Sequence, residues 1–429
     1  MTKFEYPILI FSDSTDKIFD HPDLKIAGRS GDRIVLPDPS ELVPLPRGSQ
    51  LFSLPGRIPI GWEGESFKPL NRIRIGKKEV SCTGVAAFLP PGYVRTLLPA
   101  TQLSRKAPIL PLWAYSSVGW KDGKFWATGI IVDPNPHWNP KYFGNDLLLK
   151  KKVALSLEKE SGNRLLRQLA RCAMEYHCFA AKNVFFRRWE CPLPTSPSCN
   201  AACIGCISLQ PSECCLASME RIKFVPTPDE VLGVALPHLQ EAKDAIVSFG
   251  QGCEGEPLMQ WRVLEKSIRQ LRERTDRGTI NLNTNGSLPE RVATLCDAGL
   301  DSLRVTMNSP HKKYYDRYHK PKRYAFNNVV NSLVVAKEKG IYTSINLLVF
   351  PGFTDREEEI EGLIRLIGRT KLNLIQMRNL NIDPDLYLEA MGRGTGIGLS
   401  KMMEILKKEF PRLQFGYFNR TKENFYPHG

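Results

Sequence analysis

Cys199, Cys203 and Cys206 stand in the loop CPLPTSPSCNAACIGCISL with the spacing C-x3-C-x2-C. Three thiolates gathered by one short loop, with no fourth ligand at comparable spacing, suit an iron–sulfur cluster and leave one iron open to an outside ligand. The competing readings are a zinc knuckle, whose ligands ordinarily come as two paired C-x-x-C or C/H units, and plain buried thiols. The chain has eleven cysteines in all. Cys172, Cys178, Cys191, Cys214, Cys215 and Cys253 lie near the trio in sequence or strand order but without regular spacing, so they read as small buried hydrophobes rather than a second cluster.

Such a loop must be held by regular elements on either side. From about Asn183 onward, apolar runs recur at Asn183 to Glu190, Ala245 to Gly250, Thr279 to Thr284, Ser302 to Asn308, Tyr342 to Phe350 and Leu372 to Leu380. Amphipathic stretches separate them. Thr227-Pro228-Asp229-Glu230 and Thr354-Asp355-Arg356-Glu357 have the form of capping boxes, and Gly299 and Gly340 fall where the preceding helices should stop. Six strand–helix units in succession predict an α/β fold with a parallel sheet, open or closed into a partial barrel. In such sheets ligands bind at the carboxyl ends of the strands, and the cysteine loop follows the first strand.

The first ~150 residues have a different texture, with short apolar runs broken by Pro and Gly, and they predict a β-rich N-terminal domain. Asp122-Gly123, set between aromatic-bearing runs, is a hairpin signal because both residues tolerate positive φ. The aromatic-rich stretch Trp113 to Trp126 reads as the core of that domain. The expected organisation is therefore 1–150 β-rich, 151–182 a helical bridge with one helix over about Asn163 to Ala181, 183–385 the strand–helix unit, and 386–429 a C-terminal extension. Gly392, Gly394, Gly396 and Gly398 lack a preceding strand, so they read as a flexible loop near the sheet's mouth rather than a phosphate cradle.

A length of 429 residues, with 42% hydrophobic and 24% charged residues, excludes a disordered, collagenous or coiled-coil chain. No apolar run approaches the ~20 residues of a membrane span, and the start MTKFEYPILIFSDSTDK is not a basic leader, so a cytoplasmic protein without membrane partners is expected. The net charge of +14 suits an anionic substrate or RNA and equally a solvated basic surface.

The cysteine spacing after the first strand of a strand–helix repeat resembles the cluster loop of the radical S-adenosylmethionine superfamily, over roughly Asn183 to Asp385. The resemblance implies a partial (β/α)6 TIM-like barrel. It also implies a [4Fe-4S] cluster on Cys199, Cys203 and Cys206 whose open iron chelates S-adenosylmethionine. In that family the reduced cluster cleaves the sulfonium, and the resulting radical takes a hydrogen atom from substrate. Gly255-Glu256-Pro257, after the second strand, resembles the family's Gly-Gly-Glu motif, which receives the methionine amino group. Asn285, in Asn283-Thr284-Asn285-Gly286, is similar to the Thr-Asn-Gly that often ends the third strand.

By the same resemblance Asn308 or Ser309 would reach the ribose or carboxylate, with Arg304 nearby, and the segment from Val349 to Gly352 would pack on adenine. Asn346, Gln376 and Arg378 extend the polar strand faces and are candidates for cofactor or substrate contacts. The family usually has an aromatic residue just before the third cysteine. This chain has Gly205, with Ile204 the possible substitute. The implied partners are an electron donor such as flavodoxin or ferredoxin and a substrate that is RNA, a peptide or a small molecule. The competing class is an electron-transfer or sensing protein, with Cys191 or Cys253 as a fourth ligand.

Overall fold

A computed structural model describes residues 4–210 and 217–426. Cys214 and Cys215 lie outside the described residues. Seven strands form one parallel sheet in sequential order: β1 (Arg188–Leu193), β2 (Lys243–Phe249), β3 (Thr279–Thr284), β4 (Ser302–Met307), β5 (Tyr342–Val349), β6 (Leu374–Asn379) and β7 (Gln414–Gly416). The first six are the strands of the expected partial barrel. The seventh, supplied by the C-terminal segment, extends the sheet along β6, pairing Ile375 with Phe415.

Alternation along the strands sorts the two faces. Val247, Phe249, Ile280, Leu282, Leu303, Val305, Met307, Ile345, Leu347, Ile375 and Met377 pack with residues of the surrounding helices in the principal core. The intervening residues face the concave side. There Arg304 of β4 reaches Gln376 of β6 (2.8 Å) across the intervening β5, a span that requires a curled sheet.

The N-terminal half is β-rich as expected, built around an eleven-stranded antiparallel sheet. Asp122 and Gly123, at φ 50° and 72°, turn the hairpin between Val118–Lys121 and Lys124–Ile131. Trp120 and Phe125 pack against its core.

Between the halves the structure corrects two expectations. The single helix over Asn163 to Ala181 is two, Arg164–Met174 and Phe179–Phe186, separated at His177 with φ 51°. The apolar run from Asn183 is the end of the second helix rather than a strand. It buries Val184 and Phe185, and left-handed Arg187 stops it before β1 begins. The three-residue apolar run Val184–Phe186 has no period of its own, so its neighbours decide its state.

Thr227 and Glu230 form the expected capping box. Thr354 does not. The helix Glu357–Thr370 starts two residues later than expected, because Thr354 Oγ1 instead accepts from Phe350 N (2.9 Å) and Asp355 accepts from Gly352 N (2.6 Å) and Gly398 N (2.8 Å). The glycine-rich segment is pinned rather than loose. Gly394 N donates to Asp32 (2.8 Å), Arg356 donates to Gly392 O (2.9 Å), and Asp355 holds Gly398.

These contacts belong to a wider seam in which the N-terminal half docks on the carboxyl ends of β5 and β6. Gly31 N donates to Pro351 O (3.1 Å), and Arg95 N donates to Asn379 Oδ1 (2.9 Å). Arg57 pairs with Asp383 at 2.6 Å, both almost fully buried, while Asp383 also accepts from Leu110 N and from the first turn of helix Pro384–Met391. Removing one partner of a buried pair strands the other charge. Asp383→Ala is expected to cost ~3–5 kcal/mol in urea unfolding and to speed limited proteolysis between the halves. Unchanged unfolding would show that the seam does not rest on this pair.

Candidate active site

The loop between β1 and Gln210 has no regular structure, so its backbone groups need partners from elsewhere. The β2 exit supplies them. Gly255 N donates to Ser196 O (2.7 Å) and Glu256 N to Ser198 O (2.8 Å). A Cβ at Gly255 would lie 2.0 Å from Ser198 O, so only glycine admits this approach. The buried Glu254 carboxylate accepts from Thr195 N (2.7 Å), Ser196 N (2.9 Å), Thr195 Oγ1 (3.1 Å) and Gln251 N (2.7 Å). Sequence reasoning missed Glu254. The motif C-E-G-E-P has two acids, and nothing in their spacing tells which one clamps the cysteine loop.

The loop's other edge is tacked to the end of helix Lys312–His319, through Ala202 N to His319 O (2.9 Å) and Ile204 N to Tyr318 O (3.0 Å). Tyr318 also explains Gly205, where a Cβ would meet the Tyr318 hydroxyl at 2.7 Å. Ile204 packs beside the cluster that contains Tyr318 and Phe350.

The three thiols feel one another. Burial, then the neighbouring Glu256 carboxylate, pushes Cys199 up to about 11, and burial reinforced by Cys199 and Cys206 raises Cys203 further. Two nitrogen groups flank them: Arg221 Nη2 donates to Cys206 Sγ at 3.5 Å, and His319 Nδ1 lies 3.2 Å from Cys203 Sγ. Burial lowers the His319 imidazole to about 3 and keeps it neutral.

Among the described residues no three His, Cys, Asp or Glu side chains are placed to hold one metal ion. An iron–sulfur cluster makes a different demand, since each thiolate ligates its own iron. Three adjacent thiols with a guanidinium and a neutral imidazole beside them fit that group. The two candidates for a fourth ligand are turned elsewhere. Cys191 is enclosed in the helix-side core, and Cys253 contacts Cys172.

Glu256 is buried, with both oxygens engaged. Oε2 accepts from Asn285 N (2.7 Å), and Oε1 accepts from Leu258 N (3.0 Å) and the Thr284 hydroxyl. Burial lifts it to about 7. Asn285 Nδ2 in turn donates to Asn200 Oδ1 of the cysteine loop (2.8 Å). The ends of β2 and β3 and the cysteine loop thus form one hydrogen-bonded unit.

Below this unit, the concave face carries a polar network. Glu190 accepts from Ser248 (2.6 Å) and Asn419 (2.7 Å). Asn281 joins Ser248 (3.2 Å) to Ser302 (2.8 Å), and Gln376 joins Arg304 to Asn419 (2.8 Å). Asn346 donates to Thr306 (3.2 Å), and the Arg378 guanidinium lies 4.2 Å from the Tyr417 ring centroid. Glu190, Arg304, Thr306, Asn346 and Arg378 are only partly buried and open onto the lumen. Asn419, from the C-terminal segment, was not foreseen because no sequence pattern ties it to the sheet.

Three expected residues sit apart from this group. Asn308 is enclosed, donating toward Tyr314 O and the Tyr387 hydroxyl (both 3.3 Å). Ser309 lies past the end of β4 and donates outward to Glu359 (3.0 Å), and the Val349 side chain belongs to the helix-side core.

Residues 193–367 match the model of the Radical SAM superfamily. A probable GTP 3',8-cyclase of Methanosarcina acetivorans is 26% identical over 196 residues, 44% of this chain and 54% of that protein. An uncharacterized protein of Methanocaldococcus jannaschii is 31% identical over 122 residues, 28% of this chain and 40% of that protein. The chain thus spans about half the length of the curated relatives it matches. Among solved structures, the FeFe-hydrogenase maturase HydG from Carboxydothermus hydrogenoformans is 14% identical, with 62% of this chain and 70% of that chain covered and a TM-score of 0.39. AdoMet-bound anSMEcpe is 16% identical, with 53% and 64% covered and a TM-score of 0.40. No helix among the described residues is long and apolar enough to cross a membrane.

Two substitutions test the supports of the site. Glu254→Gln turns an amide N–H2 toward backbone donors, and a loss of ~1–3 kcal/mol is expected in thermal or urea unfolding; an unshifted midpoint would show that the clamp carries no energy. Burial raises Glu359 to about 8 from an ordinary 4.5. The folded state therefore favours the protonated acid, and its contribution, full below about 4.5, is lost as pH rises through about 8. Glu359→Gln does not titrate, so its stability relative to the parent should climb across that window. A pH-independent difference would contradict the assignment.

Proposed function

We propose that the chain, whose residues 193–367 match the Radical SAM superfamily, is an enzyme that cleaves S-adenosylmethionine reductively and removes a hydrogen atom from its substrate. Cys199, Cys203 and Cys206 would hold the [4Fe-4S] cluster. When bound and reduced, the cluster with its open iron supplies the electron that splits the sulfonium into methionine and a hydrogen-abstracting 5'-deoxyadenosyl radical. The observation that carries the reading is the cysteine loop itself, locked to the β2 exit through Gly255 and Glu254 at the carboxyl end of the sheet, directly over a polar lumen.

The chain's own residues have separable tasks. Gly255 brings backbone close to the cysteine loop, and Glu256 fixes the Asn285 backbone, so the two loops present a rigid edge to the methionine end of the cofactor. Asn285 and Asn346 are the polar groups assigned to cofactor contacts on the concave side; Arg304, expected near the cofactor, hydrogen-bonds Gln376 and with it and Arg378 is assigned to the substrate. Asn308, Ser309 and Val349 would act from behind, by setting the path of the β4 and β5 exits. A low-potential one-electron donor of the flavodoxin or ferredoxin kind would supply the electron.

The test is anaerobic reconstitution of the full chain with iron and sulfide, followed by S-adenosylmethionine and dithionite. About four irons per chain and accumulation of 5'-deoxyadenosine are expected, and the Cys199→Ala/Cys203→Ala/Cys206→Ala variant should lose both. A full cluster without 5'-deoxyadenosine would refute the reading.

A further inference from the structure

Several interior arginines of this protein have fixed oxygen partners, although Arg29 and Arg95 each keep a buried Nε–H without one. Arg57 and Arg29 pair with Asp383 and Asp385, and Arg95 donates to the carbonyls of Leu380 and Tyr115. Among the described residues, Arg304 and Arg378 differ in donating to neither a carboxylate nor a backbone carbonyl. They share the lumen face on β4 and β6, where Arg304 bonds Gln376, the residue next to Arg378 on that face of β6, and among the described residues neither forms an ion pair. Arg304 gives one N–H to the neutral Gln376, and its buried Nε–H has no partner. The buried Nε–H of Arg378 also lacks one, while its flat face is held against Tyr417. Asn346 Oδ1, also on this face, is unpartnered.

The nearest acid is Glu190, which attracts Arg304 from a distance while its Oε1 is engaged by Ser248 and Asn419. Two adjacent guanidinium groups with free N–H edges and no neutralising carboxylate are costly in a partly desolvated cavity, unless an anion completes them. Their planar forks match the two oxygens of a carboxylate or phosphate.

We infer that Arg304 and Arg378 form an oxyanion subsite in the lumen, and that the substrate is a small molecule bearing a carboxylate or a phosphate seated there. This rests on the proposed function for its chemistry but not for its binding. The lumen favours a small substrate over a polymer. Its floor is closed by the Gln376–Asn419 contact, and the N-terminal half covers the β5 and β6 side of its mouth.

The test uses the reconstituted full chain with saturating S-adenosylmethionine, titrated calorimetrically with inorganic phosphate and, separately, with acetate. Saturable binding of at least one anion is expected. Arg304→Gln and Arg378→Gln should each weaken it at least ~10-fold, and the Arg→Lys variants, which keep the charge and so guard against misfolding, should fall between. Arg365→Gln, an exposed control, should leave it unchanged.

Binding of phosphate alone identifies a phosphorylated substrate, and binding of acetate alone a carboxylate. Absence of saturable binding, or equal binding in all variants, overturns the subsite. Anion binding that appears only without S-adenosylmethionine overturns it too, because the arginines would then serve the cofactor. Tight, salt-sensitive binding of a single-stranded RNA oligonucleotide that depends on both arginines would replace the small molecule with RNA. Production of 5'-deoxyadenosine by the parent protein is scored separately. Its absence refutes the proposed function and leaves the anion result standing.

Discussion

An irregular loop can present three thiols in a fixed array only if something else supplies its hydrogen-bond partners, and here that supply is dominated by one carboxylate and one glycine. Glu254 gathers the amides of Thr195 and Ser196, and Gly255 lets the β2 exit run against Ser196 and Ser198. Both lie inside the protein, where an unpaired amide costs more than in water. The loop therefore has little freedom to relax. Glu256, one residue on, repeats the device toward β3 through Asn285 N, so a single tripeptide ties three strand ends together.

A second constraint comes from the N-terminal half. Its Leu98 and Leu112 belong to the hydrophobic cluster against which Cys203 and Ile204 pack, and it docks on the exits of β5 and β6, where Pro351, Asn379 and the glycine-rich segment all meet it. A partial barrel is open along one side, and its last strands are the least supported. Placing a β-domain there, with the buried Arg57–Asp383 pair at the seam, stiffens the part of the sheet that carries Gln376 and Arg378. The C-terminal segment does the same from below through β7 and Asn419.

This division explains what could be read from the sequence. The cysteine spacing was legible because cluster chemistry imposes it directly on neighbouring residues. Five of the six barrel strands were legible because apolar residues recur at every second position on the helix-facing side, as Leu303, Val305 and Met307 do. The run from Asn183 was not, because its helical state is set by the left-handed stop at Arg187 rather than by its own pattern. Thr354 was misread for a related reason: its hydroxyl had a better use at Phe350 N than at a helix start. Glu254, Asn419 and Tyr318 were out of reach, since each acts on residues between about 50 and 230 positions away. Ser309, named by resemblance, lies two residues past the end of β4, where strand alternation no longer determines direction, and it donates to Glu359.

The polar lumen follows from the same geometry. A curled parallel sheet wraps its apolar face outward onto helices, so whatever fills the concave side must satisfy itself or await a ligand. Glu190, Ser248, Asn281, Ser302 and Asn419 do the former, each closing on the next at 2.6–3.2 Å. Arg304, Asn346 and Arg378 do the latter, each keeping a buried polar atom without a partner. The unsatisfied groups cluster on β4 to β6, across the sheet from the thiols at the β1 exit, with the satisfied network lying between them. A substrate anchored on that side would lie across the concave face from the open iron, and the satisfied network would form a rigid floor beneath it.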